Sequence, residues 1–557
     1  MKTTTPSLLL LAVTGSLAFP GCKFPELPPV AEDGPDAVTQ DAAATDAAAD
    51  APIDSQAIDT PPGTYALLIE RNGFGSGSVT GTVPPSTTVI SCGAGGGCST
   101  VVVDGTMVTL TATPSAGDLF FGWSGGGCTG TAPCTTTVNA ATTVTATFDQ
   151  CDRTMGEVCN DASNQYEQCS SSGQSTMTMT CPLYCSSAVE KCVDISPSDD
   201  PNTNPLDAQM DLLAGSGQNL VFPSSCTPGG CTINTTTGAI AGATSGGAAP
   251  TAIVGGVRVY RVQSLSLAGT VKVSGSYPVA FLSNGPITVT GVLDASADGG
   301  NNGPGAQAEG ASCTGRIHRS STATAAGAGG GGRSTFGGNG GNGASGQVGA
   351  DGGNIQSEPT LIPLIGGCSG GWSDESGGAA VSIARGAGGG AVQMVSRATI
   401  SFQSGAVIDV SGGGGISGDF FTTTVSVGGA GGGSGGSILL EAPTITLDGA
   451  GVVLSAKGGS GAAGTRGLSG ADGGYGAAPA PGGVNSNGAD GGAGGTESAA
   501  AQPGQAAQGG STDGAGGGGS VGLCRLNTRT GAIVQQNGAA IRCSRPANTT
   551  FTERLIP

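Results

Sequence analysis

Few side chains here are equipped for chemistry, and most of those carry sulfur. Seventeen cysteines and a single histidine, His318, stand among 557 residues. One imidazole removes the arrangements that need a histidine pair or a His-rich zinc site. A Ser-His-Asp triad would have to use His318, which sits in a glycine-rich stretch beside Arg316 and Arg319, a poor setting for one. No Cys-x-x-Cys pair occurs, although zinc ribbons and redox motifs use that spacing. A phosphate-binding Gly-x-x-x-x-Gly-Lys loop is missing too. Neither a metal nor a cofactor is therefore expected.

The carboxylates offer one sharper pattern. Val292-Leu293-Asp294-Ala295-Ser296 and Val407-Ile408-Asp409-Val410-Ser411 place Asp294 and Asp409 at matching positions. Stacked on one face, two carboxylates could divide acid and base roles in cleaving a polysaccharide. The next matching position holds Leu454 or Ser455, so the row breaks. Aspartates in such places more often solvate a corner. No catalytic residue is assigned; an enzyme built on this chain would use Asp294 and Asp409. Gly-Ala-Asp-Gly-Gly occurs at 349–353, 470–474 and 488–492. It is similar to calcium-binding nonapeptide repeats, but the aliphatic residue they require is missing each time.

The elements that must position these groups differ along the chain. Gly contributes 107 residues and Pro 31, while aromatics are 4%, which argues against one aromatic-rich globule. The net charge of −19 argues against nucleic acid as a partner. Residues 1–21 read as a secretory signal: a positive start, then Leu8-Leu9-Leu10-Leu11-Ala12-Val13, too short to span a bilayer. Leu17-Ala18-Phe19-Pro20-Gly21-Cys22 resembles the bacterial lipoprotein signal. That resemblance implies diacylation of Cys22 and a membrane partner through its acyl chains. Phe19 and Pro20 depart from its commonest form. Residues 22–63, rich in Pro, Ala and Asp, form a disordered tether.

Cysteine parity agrees with this reading. Without Cys22, sixteen cysteines remain in even groups. The first holds Cys92, Cys98, Cys128 and Cys134; the second Cys151, Cys159, Cys169, Cys181, Cys185 and Cys192; the third Cys226, Cys231, Cys313, Cys368, Cys524 and Cys543. Even counts per segment fit an oxidised disulfide framework.

Residues 64–149 alternate Thr and Val in short runs, with Asp104-Gly105 as a hairpin signal, and predict a small antiparallel β module. Gly75-Ser76-Gly77-Ser78-Val79, Gly105-Thr106-Met107-Val108-Thr109-Leu110, Phe121-Gly122-Trp123-Ser124-Gly125 and Val144-Thr145-Ala146-Thr147-Phe148 resemble the divergent InlB-type B-repeat of bacterial surface proteins. That family implies an extracellular spacer in adhesive proteins, with Trp123 in the core. Local pairing, Cys92 with Cys98 and Cys128 with Cys134, is the simplest of three connectivities. Residues 150–194 carry six cysteines and no long apolar run, so disulfides must substitute for a core. They resemble small Cys-rich modules of surface proteins in predatory and social bacteria.

Residues 195–557 contain a repeat. Val279–Ser296, Val392–Ser411 and Ile438–Ala456 each read as strand, turn, strand, turn, strand; Val521–Leu526 begins a fourth. One such unit cannot bury its apolar residues, but stacked coils can, which predicts a parallel β-helix-like solenoid. Val, Ile, Leu and Phe should point inward and Thr, Ser and Asp outward. An antiparallel sandwich would use the same strands differently. Glycine recurs every third residue from Gly337 to Gly352 and from Gly458 to Gly476, the period of polyproline II. These insertions should leave from one corner, either as extended polyglycine-type strands or as mobile loops.

The whole resembles bacterial surface lipoproteins of myxobacterial type. The expected role is a lipid-anchored structural or adhesive protein without catalysis, exported to the outer membrane and surface-exposed, meeting polysaccharide or other surface proteins. A carbohydrate-active parallel β-helix enzyme is the first alternative. A carbohydrate-binding surface protein is the second, with Trp372 and Tyr475 as its only candidate aromatics in the large region.

Overall fold

A computed structural model describes residues 63–557, apart from 94–97, 199–204, 216–217, 245–250, 308–310, 320–323, 357, 375–384, 418–426, 465–466, 487, 510–511, 548 and 557. The signal segment, Cys22 and all but the last residue of the tether lie outside the described residues.

The Thr/Val alternation after Gly63 produces eight strands: β1 (Thr64–Asn72), β2 (Gly77–Val83), β3 (Thr87–Cys92), β4 (Cys98–Val103), β5 (Thr106–Pro114), β6 (Leu119–Ser124), β7 (Cys134–Val138) and β8 (Thr142–Asp149). They form two sheets, ordered β4-β1-β8-β6 and β3-β2-β5-β7. Inward residues of both sheets, among them Leu67, Ile69, Val79, Leu110, Trp123 and Phe148, make one small core. Trp123 is buried as expected, its Nε1 donating to Ala132 O at 2.9 Å. One pair departs from the antiparallel pattern: β1 and β8 run parallel, Leu67 opposite Thr142. They are the first and last strands, and the chain between them passes through the second sheet.

The six-cysteine segment folds as β9 (Glu157–Asn160), β10 (Gln165–Cys169), β11 (Ser175–Thr180), β12 (Tyr184–Ser186) and β13 (Lys191–Ser196). Its core is largely cystine around Tyr166. The outer partner of β13 is the C-terminal strand Thr552–Ile556, with Val193 opposite Leu555. The six-cysteine segment and the last described strand therefore meet here.

Three sheets follow, parallel as the repeat predicts except for the antiparallel edge strands Ile240–Ala241 and Thr251–Val254. Five complete coils run through 257–274, 279–294, 391–409, 437–455 and 523–542, preceded by the partial coil 219–234. Along the first face, Tyr260, Phe281, Met394, Leu440 and Leu526 stand in register and point into the core. Along the third, Val271, Leu293, Ile408, Leu454 and Ile541 do the same. Two coils more than the recognised three are complete. The first was hidden by Arg258, Arg261 and Lys272, and the last is finished by the polar strands Val534–Gln536 and Ala540–Arg542.

The outward side of the first face differs from the expected polar pattern. Val259, Ala280, Leu282, Ala391, Val395 and Leu439 point away from the coil interior yet are buried. They lie beneath Ile195 of β13, Leu206 and Met210 of the short helix α1 (Pro205–Asp211), and Phe551. An apolar outer face is stable here because a second layer removes it from water.

Every glycine insertion departs between the third face and the next first-face strand, so all leave from one corner. They are ordered. In segment 431–436, Gly431 and Ser434 donate to Gly371 and Cys368; Gly432 and Gly435 donate to Gly517 and Ser520; Gly433 and Gly436 donate to Gly413 and Val410. Each neighbour is thus bonded every third residue, as a threefold extended helix requires. The predicted triplets obey the same rule. Gly337, Gly340 and Gly343 donate to Gly353, Ala350 and Gln347, while Gly458, Gly461 and Gly464 donate to Gly495, Gly492 and Ala489. A Cβ built on Gly433 would collide with the Ala387 carbonyl, and one on Gly436 with the Gly390 carbonyl. Glycine is required because another backbone occupies the place of its side chain.

Candidate functional site

The sixteen cysteines pair completely: Cys92–Cys98, Cys128–Cys134, Cys151–Cys169, Cys159–Cys185, Cys181–Cys192, Cys226–Cys231, Cys313–Cys368 and Cys524–Cys543. Sulfurs of Cys159, Cys181 and Cys185 lie within 4.8 Å of one another, a metal-like spacing. Each belongs to a disulfide, so no thiolate is available to ligate.

The third face brings the two predicted carboxylates together in adjacent coils. Its outward ladder reads Lys272, Asp294, Asp409, Ser455, Arg542. Lys272 Nζ donates to Asp294 Oδ1 and Oδ2 at 3.0 and 3.1 Å and to Ser296 O at 3.1 Å. Ser296 donates to Asp294 Oδ1 through its amide at 3.0 Å and its hydroxyl at 2.6 Å. Ser411 does the same for Asp409, at 3.0 and 2.5 Å. The shared Asp-x-Ser turn ends these two third-face strands just where their glycine insertions begin. Ser411 and Ser455 hydroxyls, 3.2 Å apart, continue the row.

Their environments differ. Asp409 is 6% exposed, and burial pushes its carboxyl up to about 6. The Ser411 hydrogen bonds oppose that shift, the Asp294 charge adds to it, and Lys272 opposes it more weakly. Asp294 instead faces a cleft of about 430 Å³, whose lining includes Pro228, Thr270, Lys272, Ser296, Asp298 and Asp472. Asp409 is not part of that lining. Paired-carboxylate catalysis needs both groups within reach of one bond, whereas here one faces the cleft and the other is covered.

Other candidates are dispersed. His318 is 9% exposed, burial lowers its pKa, and its Nε2 has no hydrogen-bond partner among the described residues. Asp472 Oδ1 accepts the amides of Gly299 and Gly414 at 3.0 and 2.7 Å, tying two glycine segments. Asp490 accepts the Asn485 amide at 2.8 Å, and Asp351 makes an exposed pair with Arg316 at 3.9 Å. The three Gly-Ala-Asp-Gly-Gly carboxylates thus serve separate contacts. Tyr475 is 50% exposed and Trp372 partly buried.

Two buried polar centres escaped sequence reasoning. Asp194 of β13 is fully buried and accepts from Arg397 Nε and Nη2 at 2.9 and 2.7 Å and from Arg554 Nη2 at 2.8 Å. Glu441 is also fully buried and accepts from Ser198 N and Oγ, Gln393 Nε2 and Asn527 Nδ2. Asp194 clamps the six-cysteine module to the solenoid, and Glu441 holds Ser198, just after that module, against the first face. Their partners lie up to hundreds of residues away, and no local signal joins them.

Residues 85–152 match the family model of the divergent InlB B-repeat domain. That match begins inside the β module, whose β1 and β2 precede it but complete the same two sheets. No match to the chain was found among curated proteins or solved structures. A B-repeat is a unit of surface-associated structural or adhesion-type proteins, and the chain is similar to that class in this segment.

Proposed function

We propose that this is an exported, lipid-anchored protein of the bacterial outer membrane, of the kind found in myxobacteria, serving adhesion or surface structure without catalysis. One observation carries the reading: the large region commits its backbone to itself. Glycine segments bond one another every third residue, leaving a rigid body with few side chains to converge on a substrate. Eight disulfides suit an oxidising exterior. The B-repeat match supports a spacer role. Among the described residues, no helix is long and apolar enough to cross a membrane, so the acyl chains on Cys22 would supply attachment. Polysaccharide and neighbouring surface proteins are the partners such a body would meet. Surface protease accessibility of the wild type against Cys22→Ala tests the anchor: the mutant should lose the cell-attached pool, and an unchanged distribution would refute attachment.

A second reading rests on Asp294 facing the cleft with the buried Asp409 in register behind it. As a carbohydrate-active enzyme, the protein would release reducing ends or unsaturated sugars from a polysaccharide. Asp294→Asn would then abolish that release at unchanged fold.

A further inference from the structure

A cavity of about 380 Å³ opens where the six-cysteine module, the last coil and the C-terminal strand converge, lined by Tyr184, Arg529, Thr550, Phe551 and Glu553. Its volume lies within the range of small-ligand sites. Three separate segments supply it. Tyr184 of β12 stands opposite Val193 of β13, which stands opposite Leu555. Alternation sets Glu553, two residues before Leu555, on the same face as Tyr184. Arg529 follows the first-face strand Leu523–Asn527, and a bridge between Thr528 and Thr550 brings Thr550 beside it. Phe551 is held in the layer that covers the first face, which fixes the cavity wall.

The polar groups of this cavity have hydrogen-bonding capacity to spare. Tyr184 donates its phenol to Glu553 Oε2 at 2.8 Å. Burial, and then that carboxylate, hold the phenol above its ordinary pKa, so it stays a donor at neutral pH. The Arg529 guanidinium lies over the Tyr184 ring, 4.0 Å from its centroid. Its Nε stands 3.7 Å from Glu553 Oε1, an ion pair too long for a hydrogen bond. The Arg529 side chain is 50% exposed, so solvent and solutes reach it. A planar fork with its carboxylate neighbour turned toward Tyr184 is prepared for a second, bidentate acceptor. Glu553 Oε1 accepts from hydroxyls, and the Thr550 hydroxyl both donates and accepts.

Charge complementarity selects the ligand. Residues 523–557 hold Arg525, Arg529, Arg542, Arg545 and Arg554 against one acid, Glu553, in a chain of −19 overall. Arg554 is neutralised by Asp194. Arg525 instead donates to Thr360 O at 2.9 Å and Thr549 Oγ1 at 2.7 Å, and Arg542 donates to Tyr475 O. Neutral acceptors leave those charges uncancelled. Thr549 adjoins Thr550, so Arg525 adds positive potential beside the cavity. Acids elsewhere on the chain are screened beyond about 8 Å at physiological salt. We propose that this cavity binds an acidic sugar unit, a uronate, of an extracellular polysaccharide. Its carboxylate sits on the Arg529 fork, and its ring hydroxyls are shared between Glu553 Oε1 and Thr550. The proposal rests on the polysaccharide contact inferred above and gives it a place. A nucleic acid would need a track of cations, whereas one fork in one cavity suits a single charged ring.

Isothermal titration calorimetry on the full chain in solution tests this apart from the anchor. The probes are oligogalacturonate and oligomannuronate, with neutral galacto- and manno-oligosaccharides of the same length. At least one uronate should bind, and its neutral counterpart about tenfold or more weakly, the worth of a charge-assisted hydrogen bond. Arg529→Gln should weaken the uronate by a similar factor, and Arg529→Lys, a charge without the fork, should recover only part of it. Asp294→Asn and Cys22→Ala should leave this binding unchanged, which separates it from the enzymatic and anchoring readings. No uronate binding, equal binding of the neutral sugar, or equal binding of polyacrylate or single-stranded DNA would overturn the proposal. So would an Arg529→Gln that binds like the wild type, or a loss of binding in Asp294→Asn. Should Arg529→Gln fail to fold, Thr550→Trp decides instead, because it fills the cavity from an exposed position. It should abolish binding, and retained binding would refute the site.

Discussion

The solenoid coils and the glycine insertions are spliced into one another along the chain, yet they exclude water by opposite means. Inside the coils, side chains do it: Tyr260, Phe281, Met394, Leu440 and Leu526 form a continuous apolar column. Burial of that kind is proportional to apolar area and accepts volume-conserving exchanges. Inside the insertions, the interior is backbone. A row of amides runs from Gly519 through Gly459, Gly433, Gly413 and Ala387 to Gly299, each donating to the next. Each such bond is worth only about 1 kcal/mol net, and ordering glycine costs more entropy than any other residue. The arrangement holds because almost every residue bonds and nothing intervenes between chains. At the boundary stands Arg333, fully buried, donating to Gln356 O, Ile365 O and Ser437 Oγ. Burial lowers its pKa to about 10, so it stays charged at neutral pH. It joins glycine segment to coil through backbone carbonyls and a serine hydroxyl.

This contrast predicts a steep ranking of substitutions. Gly433→Val should be the most damaging, because the new side chain meets the Ala387 backbone, which cannot retreat. A loss above about 5 kcal/mol, or failure to accumulate, is expected in chemical denaturation, since a backbone collision belongs with the exceptional cases. Phe281→Ala in the coil column should cost about 3–5 kcal/mol by leaving a cavity that neighbours partly fill; a larger loss than for Gly433→Val would reverse the comparison.

At the corner between the two regions the sign changes. Asp409 holds its proton to about pH 6 in the fold, against an ordinary value of 3.8. The folded state therefore binds more protons than the unfolded one between those values. Stability contributed by this group is lost as pH rises from about 4 through about 6. Asp409→Asn keeps an oxygen for Ser411 and removes the ionisation. It should stabilise by about 1–3 kcal/mol at pH 7 and by nothing at pH 4, measured by thermal unfolding at both.

The smallest effect should come from Gly476→Ala. Gly476 keeps the same three-residue phase as Gly473, yet a Cβ there meets nothing within 4 Å. A change within about 1 kcal/mol, in the stabilising direction, is expected. Equal damage at Gly433 and Gly476 would show that phase alone, not contact, decides.

Much of this architecture can be read from residue types because coils repeat them. Val279, Val392 and Ile438 align by pattern, and they are neighbours in register. The triplet glycines announce their period just as openly. What the chain conceals is which segments meet. That Gly432 faces Gly517 while Gly433 faces Gly413 is invisible, since every glycine looks alike. The outer cover of the first face was hidden for another reason. Ala280, Leu282 and Val395 look like core in a strand already supplied with core residues, and distant residues such as Ile195, Leu206, Met210 and Phe551 explain them. The Asp294–Asp409 register was legible as far as its break at Ser455. Its use was not, because the Asp-x-Ser turns and the cover over Asp409 depend on coordinates rather than spacing.

The phase of the glycine hydrogen bonds also constrains how these segments can lengthen over generations. Adding or deleting three residues returns each amide to the neighbour it had before. Adding one rotates every later amide by a third of a turn onto a different neighbour. Viable length variants of the glycine segments should therefore be inherited in steps of nine nucleotides.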